Sequence, residues 1–124
     1  MRMDRDRADG PVVSGMSAAG FRVDDNIYRA LAITPLRADA WSPPPIEALD
    51  EAALTLVLAL DPPPEFVLLG TGAALVRPPA ALVRALEVRR IGIEAMDSRA
   101  AARAWGMLRG EGRWIAGALY PIEA

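Results

Sequence analysis

Residues 66–76 read FVLLGTGAALV, an apolar run that ends in a Gly-Thr-Gly turn. Four consecutive apolar residues, with Asp61-Pro62-Pro63-Pro64 before them and glycine after, predict a strand covered on both faces at the centre of a sheet. Downstream, Pro78-Pro79 and the apolar positions Leu82, Ala85 and Leu86 predict a helix running to Arg90. Arg89-Arg90 would complement its dipole at the carboxyl end. Ile91 to Ala95 predicts a second strand, so the segment specifies a parallel, right-handed βαβ unit. That unit makes the fold α/β.

On the amino-terminal side, Phe21-Arg22-Val23 and Ile27 to Thr34 predict a short hairpin across Asp24-Asp25-Asn26. Residues 35–46 hold Pro35, Pro43, Pro44 and Pro45 with Trp41, which reads as a covering loop with Trp41 as a lid on the core. Asp50 to Leu60 has Leu54, Val57 and Leu58 at helical spacing and predicts a first helix, stopped by the proline run. On the carboxyl side, Asp97 or Ser98 is placed to cap a third helix in which Ala101, Ala104, Trp105 and Leu108 form one stripe. Met107 is grouped with that core stripe, and Arg99 and Arg103 fall on another, solvated face. Gly110 and Gly112 bracket the exit turn, and Arg113 to Tyr120 predicts the last strand. The expectation is a single three-layer α/β domain over residues 20–124, a central mixed sheet of about five strands covered by about three helices. Residues 1–19, charged and then rich in Gly, Ser and Ala, are expected to form a disordered tail.

Composition narrows the chemistry. The 124 residues contain no His and no Cys, which removes the usual nucleophile pairs, zinc sets and disulfides. All 14 basic residues are arginine, so Schiff-base chemistry and a Walker lysine are excluded as well. A net charge of -2 gives no electrostatic case for nucleic acid. The longest apolar run, Ala52 to Leu60, is about half of what a bilayer span needs. The amino terminus, MRMDRDRADG, lacks the apolar stretch of a secretory signal, and a cytoplasmic location is the expectation. Arginine without lysine, with much Ala and Pro, matches the bias of a high-GC bacterial genome.

The Gly-Thr-Gly turn invites a nucleotide-binding reading, which fails on its surroundings. A dinucleotide fingerprint needs a third glycine and a helix that opens directly from the turn. Leu75 occupies the third position, and Val76-Arg77-Pro78-Pro79 separates the turn from the helix. No cofactor and no metal are therefore expected. Two readings remain for the turn: a sharp reversal that needs positive φ, or one that also lines a ligand or partner crevice. At the carboxyl ends of neighbouring parallel strands, Gly70, Thr71 and Gly72 would meet Glu94, Met96 and Asp97, with Arg99 and Arg113 as the nearest candidate cations. The plainer view has Asp97 or Ser98 capping a helix, Glu111 paired with Arg113, and Glu94 paired with an arginine. Trp114, beside Ile115, is a candidate outward aromatic for a partner.

Three motifs in order carry a resemblance: Leu69-Gly70-Thr71-Gly72, then Gly92-Ile93-Glu94-Ala95-Met96-Asp97-Ser98, then Glu111-Gly112-Arg113 followed by Ala116-Gly117-Ala118-Leu119-Tyr120-Pro121. With Trp41 upstream, residues 20 to 122 resemble the domain-of-unknown-function family that contains mitochondrial complex I assembly factor 3 and its bacterial relatives. The resemblance implies a three-layer α/β fold with a mixed sheet. It also implies a non-enzymatic role in assembly through a protein partner, linked to respiratory or other membrane complexes, and supplies no catalytic residues. Peripheral membrane association and a homodimer are compatible with it. Relatives tend to carry a thiol, a hydroxyl and an amide in the third helix where Ala102, Ala104 and Gly106 stand, so chemistry needing those groups would be missing here. The alternative is a small anionic-metabolite-binding domain using the Gly70–Gly72 turn with Glu94, Arg99 and Arg113; a carboxylate-dependent hydrolase or isomerase on Glu94 or Asp97 ranks third.

Overall fold

A computed structural model of the chain describes residues 10–124. The strand predicted from the opening stretch is β6, Phe66–Gly70. The helix after it is α2, Ala80–Val88, and the next strand is β7, Gly92–Met96. β6 and β7 pair in parallel, from Phe66 opposite Gly92 to Gly70 opposite Met96, which is the expected βαβ unit. On its other edge β6 pairs in parallel with β8, Ala116–Leu119. β4, Leu31–Ile33, runs antiparallel to both β8 and β5, Ala38–Ala40. The sheet is thus mixed, in the order β5-β4-β8-β6-β7.

β6 is interior, as its two-sided burial predicts, but the middle strand is β8. The reason lies in Gly117: a Cβ there would stand 2.9 Å from Ile33 Cγ2 and 3.4 Å from Trp105 Cε3. With Ala116 and Ala118 beside it, this small-residue strand lets large neighbours close over the centre of the sheet.

Alternation along each strand sends side chains to two cores. On one face, Ala32, Val67 and Leu69 pack with Val57 and Leu58 of α1, Thr55–Leu58, and with Leu82 and Leu86 of α2. On the other, Leu31, Ile33 and Leu68 pack with Ala101, Ala102 and Trp105 of α3, Ser98–Gly110. Phe21 and Val23 join this second core from a small sheet in the order β1-β2-β3. Its strands are Gly15–Ser17, Gly20–Val23 and Asn26–Tyr28. The layers are helices α1 and α2, the five-stranded sheet, then α3 with the small sheet.

The structure differs from the expectation in four places. Residues 1–9 of the expected tail lie outside the described residues, but residues 10–19 are built in: β1 pairs with β2, and the Pro11 carbonyl accepts a 2.9 Å bond from Trp105 Nε1. The predicted strand over 27–34 is two strands, β3 in the small sheet and β4 in the large one, joined at Arg29-Ala30. The loop at 35–46 contains β5, whose three residues pair with β4. The first helix is short, a 3₁₀ turn at Ala52–Leu54 running into α1, because Asp61-Pro62 follows within a turn. Trp41 is 8% exposed and meets Tyr120 edge-on at 5.2 Å, the lid that was expected. No helix among the described residues is long and apolar enough to cross a membrane.

Candidate functional site at the Gly70 turn

Where β6 ends, the chain must leave a crowded sheet. A Cβ on Gly70 would stand 2.8 Å from Ser98 Oγ and 2.9 Å from Leu119 Cδ2, so only glycine lets the three strands and α3 meet here. Gly72 has φ +104°, the left-handed region that a side chain disfavours. The helix whose amino end meets this turn is α3, not α2, which starts ten residues beyond Gly70.

The polar groups of the turn are spent on the fold. The amide of Thr71 donates to the Met96 carbonyl at 2.9 Å, that of Gly72 to Ser98 Oγ at 2.8 Å, and that of Ala73 to the Ala124 carbonyl at 3.1 Å. Thr71 Oγ1 donates to the Ala74 carbonyl at 2.6 Å and accepts from the Val76 amide at 3.0 Å. Ser98 is fully buried; its hydroxyl donates to the Tyr120 carbonyl at 2.8 Å, and its amide donates to the Gly72 carbonyl at 2.8 Å. Asp97 caps α3 by accepting from the Ala100 amide at 2.9 Å. The turn is a knot that ties β6, β7, β8 and α3 together.

The predicted site residues therefore divide. Gly70, Thr71, Gly72, Met96 and Asp97 come together, with Met96 half-buried against the α3-side core. Glu94 stands exposed in the middle of β7, and Arg99 is exposed on the first turn of α3. Arg113 is elsewhere. It donates to Glu65 at 2.7 Å and lies over the Phe66 ring at 5.7 Å, at the opposite end of β6 from Gly70, about 13 Å along the strand. The hydrogen bond from the Arg113 guanidinium holds the Glu65 carboxyl below its usual range. Arg113 thus pairs with Glu65 and not with Glu111, and Glu94 has no ion pair among the described residues. Met107 is exposed, correcting its placement in the core, because it follows Gly106 on the outer side of α3. Trp114 is half-buried and donates to the Pro62 carbonyl at 2.7 Å.

Two residues organise this end of the molecule in ways the sequence pattern did not show. Ser98 was visible as a candidate cap, yet its role is to bridge Gly72 and Tyr120, 26 and 22 positions away in the chain. Tyr120 Oη donates to the Pro44 carbonyl at 2.7 Å, and its ring helps line a groove of about 470 Å³ with Trp41, Pro43, Pro44, Pro45 and Arg29. Burial, and the Glu47 carboxylate in second place, push its phenol up to about 12.

A family model described as a protein of unknown function (DUF498/DUF598) matches residues 13–120. The chain belongs to this family. Among relatives of the DUF498/DUF598 chain, NADH dehydrogenase (ubiquinone) 1 alpha subcomplex assembly factor 3 of Danio rerio is 29% identical over 123 residues, covering 98% of this chain and 71% of that protein. The Homo sapiens protein of the same name is 26% identical, covering 96% and 65% respectively. The chain therefore spans roughly two-thirds of the length of these assembly factors. A crystal structure of a Bordetella parapertussis protein, 29% identical, superposes with a TM-score of 0.82 over 91% of this chain and 97% of that one.

Proposed function

We propose that this DUF498/DUF598 chain is a non-enzymatic protein-interaction domain that acts in assembly, binding a subunit or co-factor protein of a respiratory or other membrane complex. One observation carries the reading: the groups with the chemistry to act on a ligand at the Gly70 turn are consumed by the fold. Ser98, Thr71 and three successive backbone amides all have intramolecular partners. A turn used this way marks a scaffold, and relatives of nearly full overlap with this chain carry the name of an assembly factor. The same reading puts the chain in the cytoplasm, reaching the membrane through its partner.

The anionic-metabolite alternative loses its components. The turn's amides donate to Met96, Ser98 and Ala124, and Arg113 sits at the other end of β6. Among the predicted cations only Arg99 remains near the turn, and an exposed arginine binds an anion weakly in water.

Affinity purification of the tagged chain from its native host, with the membrane fraction gently solubilised, tests the proposal. The expected result is a protein recovered in near-stoichiometric amount and traceable to a membrane complex. Recovery of the chain alone from both soluble and membrane fractions would overturn it.

A further inference from the structure

β7 is one edge of the five-stranded sheet: among the described residues it pairs with β6 alone. Two bonds fix which of its backbone groups point inward. The Gly92 amide donates to the Glu65 carbonyl at 3.2 Å, and the Met96 carbonyl accepts from the Thr71 amide at 2.9 Å. In a parallel ladder, alternate residues turn both backbone groups to the same neighbour, so Gly92, Glu94 and Met96 face β6. Ile93 and Ala95 then present their amides and carbonyls outward, and no helix, loop or side chain among the described residues takes them. Exposed edges are commonly blunted, and here the device is a charge: Glu94, between the two open residues, is exposed and has no ion pair among the described residues.

That charge selects the occupant. A second copy pairing antiparallel through both Ile93 and Ala95 would set Glu94 directly opposite its own equivalent, and like charges in that position repel. We infer that the β7 edge receives an extended segment of a different protein by strand addition, with a Lys or Arg opposite Glu94 flanked by β-branched apolar residues. The flanking residues follow from the other face. Ile93 and Ala95 pack against the core on the side of α1 and α2, so their cross-strand neighbours extend that apolar surface. The inference rests on the reading of the chain as an interaction domain and assigns that domain its binding edge.

The test uses the full chain and two nine-residue peptides, one with Val-Lys-Val at its centre and the other with Val-Glu-Val, followed by fluorescence anisotropy. The Val-Lys-Val peptide is expected to bind at least about five-fold more tightly. Glu94→Lys, at an exposed position with no ion pair among the described residues, should reverse the order. Ala95→Pro removes an outward amide and should abolish binding of both peptides; if that variant does not fold, the charge reversal decides alone. Equal binding of the two peptides, no binding at millimolar concentration, or an unchanged order in Glu94→Lys overturns the inference. So does a dimer in sedimentation that Ala95→Pro dissociates. The partner recovered from the host separates the two claims: its retention by Glu94→Lys and Ala95→Pro refutes the edge while leaving the interaction role standing.

Discussion

Ser98 is the residue on which the carboxyl ends of the strands depend. Its hydroxyl satisfies a buried amide at Gly72 and a buried carbonyl at Tyr120. Each buried polar group left without a partner costs about 1–3 kcal/mol, so Ser98→Ala, which strands two, should destabilise by about 2–6 kcal/mol in urea denaturation. A serine serving only a ligand would leave the midpoint unchanged on the same substitution. Gly70→Ala should also destabilise, by about 1–3 kcal/mol, since its Cβ must displace Ser98 or Leu119. The glycines were readable as a sharp turn from their order after an apolar run. What fills the space beside Gly70 was not, because Ser98 and Leu119 reach it from distant parts of the chain.

Among the elements, those with strong patterns are where periodicity puts them: α2 and α3 each keep their apolar stripe against one core, while β6 and β7 send alternate side chains to the two. The two missed strands, β1 and β5, are three residues long and spelled Gly-Met-Ser and Ala-Asp-Ala, with no β-branched residue in either. They form because a neighbour offers an open ladder, β2 in one case and β4 in the other. For β1 a further anchor comes from α3, where fully buried Trp105 donates to the Pro11 carbonyl. Trp105→Phe keeps most of the ring and removes that donor. The expected outcome is faster hydrogen exchange in the amides paired between β1 and β2, with exchange in β6 and β8 little changed; uniform acceleration everywhere would show that Trp105 acts only through the core.

At the scale of the whole molecule, two cores lie on opposite faces of one sheet, and the one on the side of α1 and α2 is closed at one end by the loop carrying Trp41 and Pro44. Tyr120 holds that closure, 6% exposed, its ring edge-on to Trp41 and its hydroxyl on Pro44. Burial, which disfavours the phenolate, and the like charge of Glu47 push its phenol up from the ordinary 10.0 to about 12. With the folded value the higher one, the stabilisation is complete below pH 10 and is lost as pH rises towards 12. Thermal unfolding should therefore show a melting temperature that falls over that interval. Tyr120→Phe should flatten the fall and, through loss of the hydrogen bond, cost about 1 kcal/mol near pH 7. An undiminished fall in the variant would assign the pH dependence to other groups.

The order of strong elements, the parallel βαβ unit, the rejection of a dinucleotide loop and the lid role of Trp41 all follow from short-range facts: apolar spacing, proline positions and a missing third glycine. Such facts are local, and they survive being read one segment at a time. The tertiary structure alone decided that β8 is the middle strand, that α3 and not α2 meets the Gly70 turn, and that Arg113 belongs with Glu65. Each of these depends on which distant residues share space, and side-chain volume and unpaired backbone groups settle that only when the whole chain has closed on itself.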